Sequence, residues 1–338
     1  MLGIAGLYLS VLLFRLTGKL LGGRASALEL RAAIAWSAVP TVTSVAIYLI
    51  AIAAVQLSSA GPTSPVLIGA LEIFVAALGA WALIAMILMV ARVQRFRLVR
   101  TIASVVLAYL SIYAFLLIIA LIFRTFLFHP FNVPSRAMEP TVLVGDYFLV
   151  SKFSYGYGRY SLPFSPPLFR GRVLAREPQR GDIVVFRLPK DDSINYVKRL
   201  VGLPGDHIQM INGLLYINGT PVKQEHIEDF IETDESGGTS PIKRWRETLP
   251  NGVGYTTLDR VPNGFYDNTP VYTVPAGHYF MIGDDRDNST DSRVLSQVGY
   301  VPFENLVGRV EVIYFSIDRN SRQRQAALRF ERFGLAVH

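Results

Sequence analysis

The strongest constraint on this chain lies in its first 128 residues, where apolar runs recur at membrane length. Four can be drawn, at roughly 1–17, 33–57, 66–91 and 101–128. A helix of about 20 apolar residues crosses a hydrocarbon core, and the last three runs are long enough. The first is short and interrupted by Arg15 and Lys19, so it either spans or lies at the interface. No basic stretch precedes it, which argues against a cleavable leader. The chain opens directly on this run, which leaves room for a further helix upstream. Arg15, Lys19, Arg24 and Arg31 fall between runs one and two, and Arg92, Arg95, Arg97 and Arg100 between three and four, whereas residues 58–65 carry no charge. Positive loops stay in the cytoplasm, so everything after residue 128 is expected on the far side. Glu72 sits near the outer end of the third run, where a carboxylate reaches water and reads as interfacial.

Of the 338 residues, about 200 remain for a soluble body, enough to bury a full core. Lys and Arg give a formal charge of +7. They cluster beside the apolar runs rather than in a stripe interleaved with aromatics, so no nucleic-acid partner is expected. There is no cysteine, which excludes disulfides and thiolate metal ligands. His129, His207, His226, His278 and His338 are far apart and lack ligand spacing, so neither a metal nor any other cofactor is expected.

Beyond residue 128 the pattern turns to strands. Val133-Pro134 biases the backbone towards extended conformation. Alternation then puts Phe131, Val133, Ser135 and Ala137 on one side and Asn132, Pro134, Arg136 and Met138 on the other. Residues 153–169 crowd aromatics among Gly and Pro and read as a loop dipping into headgroups. Gly181-Asp182 followed by Ile183-Val184-Val185-Phe186 reads as a turn and a buried strand. Residues 208–222 hold two Asn-Gly pairs flanked by apolar residues, a hairpin signal. Residues 223–270 are polar and turn-rich, with Ser236-Gly237-Gly238-Thr239 as a tip. The Asp- and Asn-rich loop from Gly283 lacks the terminal Glu of an EF-hand. Residues 300–316 return as strands, and the basic tail from Arg319 is expected to be peripheral. On pattern alone, residues 130–138 form an ordinary strand and Lys198 is a surface lysine.

Three boxes change that reading. They are Pro134-Ser135-Arg136-Ala137-Met138, the run Tyr196-Val197-Lys198-Arg199-Leu200-Val201-Gly202-Leu203-Pro204-Gly205-Asp206, and Gly283-Asp284-Asp285-Arg286-Asp287-Asn288-Ser289-Thr290-Asp291-Ser292-Arg293. Together they resemble the type I signal peptidase (leader peptidase) family, membrane serine proteases with a serine nucleophile and a lysine base. The resemblance extends over most of residues 130–316 and implies N-terminal transmembrane α-helices followed by an all-β catalytic domain. That domain would have the signal-peptidase/LexA-like β fold with an inserted β-subdomain. The expected divisions are an anchor at 1–128, a catalytic domain at 129–316 with the insertion at about 207–275, and a tail at 317–338.

The resemblance also assigns roles. Position 137 is the nucleophile's place and Lys198 the general base, which must be buried for its charged form to be disfavoured. Ser289 hydrogen-bonds and aims the Lys198 amine, and the Ser135 hydroxyl helps the residue-137 N–H stabilise the oxyanion. Phe131, Val133, Met138, Val142, Tyr196 and Val197 would bind an extended substrate added as a strand, with small residues at −1 and −3. Asp284, Arg286, Asp291 and Arg293 would form charge pairs that hold the loop, joined by Arg199. The implied partners are signal-peptide-bearing precursors, the lipid bilayer and the secretion apparatus. The implied location is the bacterial cytoplasmic (inner) membrane, with the catalytic domain periplasmic.

One departure matters most. The family motif reads Pro-Ser-Gly-Ser-Met, and its second serine is the nucleophile, but this chain has Arg136-Ala137. A methyl group cannot attack a carbonyl, so the chain as it stands is expected to be inactive or severely impaired. Four readings are open at this point. They are a deliberately replaced nucleophile, a natural non-catalytic homologue that binds extended peptides, a nucleophile displaced to Ser135, and a self-cleaving DNA-binding repressor, against which the anchor argues.

Overall fold

A computed structural model describes residues 2–57, 65–162, 165–166, 171–233, 238–318 and 327–337. Most of the charge-free loop at 58–65, part of the aromatic stretch, half of the 236–239 tip and the start of the tail lie outside those residues. The chain forms two compact units, Met1–Ile119 and Ala120–His338. The division therefore falls before residue 128, and the end of the last apolar run belongs with the β body.

In the first unit α1 (Leu2–Leu20), α2 (Ala27–Ser37), α3 (Val39–Leu57), α4 (Pro65–Gln94) and α5 (Leu98–Ile122) succeed one another. α2 begins earlier than the apolar run because Ser26 and Glu29 form a reciprocal capping box, which satisfies two otherwise unpaired backbone donors. Among the described residues four stretches are long and apolar enough to cross a membrane: Gly3–Leu20, Ala27–Ala51, Gly69–Gln94 and Leu98–Leu127. Phe14, Leu30, Val90 and Ala108 pack together, while Ile73, Trp81, Leu110 and Leu117 face outward. So much outward apolar surface is stable against lipid rather than water.

The second unit is built on antiparallel pairing. Its strands are β1 (Phe128–Asn132), β2 (Asp146–Ser151), β3 (Ile183–Leu188), β4 (Asp191–Gly202), β5 (His207–Ile211), β6 (Leu214–Ile217), β7 (Thr220–Pro221), β8 (Lys223–Thr233), β9 (Thr239–Thr248) and β10 (Gly254–Asp259). They continue as β11 (Tyr272–Thr273), β12 (His278–Ile282), β13 (Val301–Pro302), β14 (Leu306–Asp318), β15 (Ala327–Leu328) and β16 (Leu335–Ala336). The main sheet runs β1-β2-β14-β3-β4-β12-β13, with β15 and β16 on β14.

β3 shows why the sheet is a core element. Ile183 and Val185 enter one apolar cluster with Phe148, Val150 and Ile313. Val184, Phe186 and Leu188 enter another with Leu200, Met281 and Leu306. A strand buried on both faces reads as a near-continuous apolar run, broken here only by the half-buried Arg187, and each buried apolar side chain contributes roughly 1.5–3 kcal/mol. The two Asn-Gly pairs turn as expected. Asn212, Gly213, Asn218 and Gly219 all have positive φ, and they join β5 to β6 and β6 to β7.

The inserted region forms two sheets, β11-β5-β6-β7 and β10-β9-β8. The described end of the tail is not peripheral. β16 pairs with β14, Val337 is buried, and Arg332 Nη2 donates to the buried Asp146 carboxylate at 2.6 Å. Basic composition suggested a solvated tail, but one buried acid on β2 fixes it.

Candidate active site

β1 ends at Asn132, and beyond Pro134 the chain turns instead of continuing as strand. The Glu139 N–H donates to the Arg136 carbonyl at 2.9 Å and the Val142 N–H to that of Met138 at 2.9 Å. The expected alternation to Met138 therefore fails. Ala137 and Met138 are buried in succession, at 5% and 2% exposure, while Ser135 is exposed. A helical turn rotates successive side chains by about 100°, not the 180° of a strand.

Gly283, at the end of β12, is where the boxes meet. A methyl added there would overlap the Ser289 hydroxyl and the Ala137 carbonyl, so these two lie directly against it. The Asp285 N–H fixes the Ala137 carbonyl at 3.2 Å. On the other side β12 pairs with β4, Met281 opposite Leu200 and Ile282 opposite Arg199. Lys198 and Gly283 each adjoin the Arg199–Ile282 pair, the last of this register.

Lys198 is 4% exposed. Burial pushes its amine down to about 8, against the pull of the Asp291 and Asp284 carboxylates. The Ser289 hydroxyl donates to Asp291 Oδ2 at 2.7 Å. The Ser289 O–H is therefore directed to the acid rather than towards Lys198. Burial pushes the Asp291 carboxyl up, but Arg293 and the donors on Gly283 and Ser289 outweigh it and hold the group low.

The charges around the loop are paired, though not only among themselves. Arg199 Nε and Nη2 each lie 2.8 Å from Asp284, and the Arg199 guanidinium sits 4.2 Å over the Tyr255 ring. Thr141 also donates to Asp284, at 2.5 Å. Arg293 holds Asp291 through Nε at 2.9 Å and Nη2 at 2.8 Å. Arg286 turns instead to Glu247 of β9 at 2.6 Å, which also accepts from Tyr255 of β10. Arg260 binds Asp285 at 2.7 Å, Glu232 of β8 at 2.7 Å and Glu139 at 3.4 Å, and Arg136 reaches the same Glu232.

The insertion thus supplies counter-charges to the site. Sequence reasoning missed Glu139, Glu232, Glu247, Tyr255 and Arg260. Their partners are tens of residues away, and the only local hint is the crowd of arginines in the boxes. Burial pushes the Glu139 carboxyl up to about 7, against Arg136 and Arg260.

Of the expected substrate contacts, Phe131, Tyr196 and Val197 are half-buried. Val133, Met138 and Val142 belong to the core beneath them, and Val142 has no exposed surface. That residue underlies the site rather than forming an open pocket wall. In the aromatic stretch Tyr155 is buried and bonds Asp182 at 2.8 Å, so this part packs onto the body instead of entering lipid.

The sequence family described as Signal peptidase, peptidase S26, matches residues 106–315, which include all three boxes. Similar proteins bear the name signal peptidase I. That of Rickettsia typhi (strain ATCC VR-144 / Wilmington) is 47% identical over 212 residues, covering 60% of this chain and 78% of its own. That of Rickettsia conorii (strain ATCC VR-613 / Malish 7) is 47% identical over 212 residues, covering 60% and 77%. A crystal structure of a signal peptidase I from Enterococcus faecalis V583 is 28% identical, with 40% of this chain and 97% of that one covered and a TM-score of 0.24.

Proposed function

The chain belongs to the signal peptidase family, peptidase S26, and from that premise we propose that its second unit is the catalytic body of a membrane-bound signal peptidase I. In its active form this body removes signal peptides from exported precursors by Ser/Lys peptide-bond hydrolysis. One observation carries the reading: a lysine 4% exposed, its amine held near 8, adjoining the Arg199–Ile282 pair that leads into the glycine touching residue 137 and Ser289. An amine so shielded can be neutral near physiological pH and accept a proton.

That placement supports the following steps. A hydroxyl at position 137 gives its proton to Lys198 as its oxygen attacks the scissile carbonyl, and the lysine returns the proton to the departing amine. Water, giving its proton to the same lysine, then cleaves the ester on residue 137, which recovers its hydroxyl proton. The residue-137 N–H and the Ser135 hydroxyl donate to the oxyanion. Ser289 donates a hydrogen bond to Asp291 and accepts one from the Lys198 amine. β1, at the edge of the main sheet, receives the precursor by strand addition. Charge placement in the helical loops supports a position for the body on the outer, periplasmic face of a bacterial cytoplasmic membrane.

With Ala137 the attacking atom is missing, and this chain binds precursors without efficient cleavage. Ser135 is a poor substitute: it is exposed, whereas Ala137 is buried with its carbonyl against Gly283. The same alanine favours a second reading, a natural reader of extended signal-peptide-like segments that never cleaves. Detergent-purified protein incubated with a preprotein tests both. Cleavage by Ala137→Ser, lost in Ala137→Ser/Lys198→Ala, is the expected result. An Ala137→Ser variant that binds and does not cleave supports the reader. A lysine-less double variant as fast as the single one refutes the dyad, and cleavage by the unaltered chain that Ser135→Ala abolishes moves the nucleophile to Ser135.

A further inference from the structure

We propose that the body holds a pocket for the phosphate head of an anionic phospholipid, made by Arg124, His129, Lys152 and Arg187. These side chains line a single cavity of about 360 Å³. Neither Asp nor Glu is among its described lining residues. Lys152 is only 4% exposed, and its amine donates at 2.6 Å to the Ser161 carbonyl, a neutral acceptor. Burial, with Arg124 nearby, pushes that amine down to about 8. Burial pushes His129 down to about 4, with Lys152, Arg124 and Arg187 adding to the effect. His129 Nδ1 and Arg187 Nε are buried with no hydrogen-bond partner. Cations and unpaired nitrogens that converge without a carboxylate are costly alone and satisfied together by an anion.

The surroundings choose among anions. Arg124 is carried by the last turn of the membrane-length stretch Leu98–Leu127, which is the depth of lipid headgroups. Beside it Leu121, Phe123, Phe126 and Leu127 are 42–49% exposed. A free phosphate gains nothing from an apolar rim, whereas a phospholipid lays its acyl chains there while its phosphate enters the cationic cup. Phe131 and Asn195 line the same cavity. The lipid head therefore sits against the membrane-side end of β1, and its binding does not depend on the protease reading.

The test is equilibrium retention of radiolabelled dioleoylphosphatidylglycerol by the immobilised full chain in detergent, beside dioleoylphosphatidylcholine. The expected result is saturable retention of phosphatidylglycerol well above phosphatidylcholine, weakened about tenfold for each arginine removed in Arg124→Gln and Arg124→Gln/Arg187→Gln. Arg124 is exposed, so its single variant decides the matter even if the Arg187 change unfolds the body. Equal retention of the two lipids, or undiminished retention by Arg124→Gln, overturns the proposal. Inorganic phosphate that displaces the lipid mole for mole would make this a site for a free anion and overturn the lipid reading.

Discussion

Replacing Lys198 by Met should make this protein more stable at neutral pH, and by an amount the site itself sets. The amine is buried and its pKa falls from 10.5 to about 8, so the folded state disfavours the charged form. At about 1.4 kcal/mol per pKa unit the cost is about 3 kcal/mol wherever both folded and unfolded chains hold the proton, which is below pH 8. Between pH 8 and 10.5 the unfolded chain binds more protons than the folded one, so the native lysine protein gains stability as pH rises. Above 10.5 the cost is gone. Met keeps the unbranched stem and removes the charge.

Urea unfolding of the detergent-solubilised full chain should therefore show Lys198→Met more stable by about 3 kcal/mol at pH 7, narrowing to under about 1 kcal/mol by pH 10. Equal stability at pH 7 would refute the buried-amine reasoning. So would a gap independent of pH, which would point to packing instead of charge.

Arg199→Met should cost about 3–5 kcal/mol, because it strands the buried Asp284 carboxylate, and Arg199→Met/Asp284→Leu should recover most of it in the same unfolding assay. Glu139→Gln should stabilise the protein by about 3 kcal/mol at pH 8. A carboxyl raised from 4.5 to about 7 costs the fold stability as pH climbs between those values, so this gain should vanish near pH 4. Gly283→Ala should destabilise by at least about 1–3 kcal/mol, since its methyl overlaps the Ala137 carbonyl and Ser289. In an Ala137→Ser background it should also lower kcat more than it raises KM.

What could be read without coordinates depended on range. The apolar runs, the two Asn-Gly turns and the strand at Ile183–Leu188 are local patterns, and the structure places them where expected. The boxes around Ala137, Lys198 and Asp284 were legible through family resemblance, not periodicity, since a buried lysine and a surface one look alike in a strand. The counter-charges were not legible. Glu247 reaches Arg286 across 39 positions and Arg260 reaches Glu139 across 121, and no spacing rule links residues that only the sheet order brings together. The tail misled for a similar reason: Asp146, nearly 200 positions upstream, decides where Arg332 goes. Alternation failed after Pro134 because a turn takes over before the residue that matters, leaving Ala137 buried beside Met138.

The proton acceptor is the crux of the chemistry, and the pH dependence of precursor cleavage by Ala137→Ser measures it most directly. If a neutral Lys198 takes the hydroxyl proton, kcat/KM rises about tenfold per pH unit below a midpoint near 8 and is level above it. A flat dependence, or a midpoint near the 10.5 of a solvated lysine, would mean that the Lys198 amine is not the base.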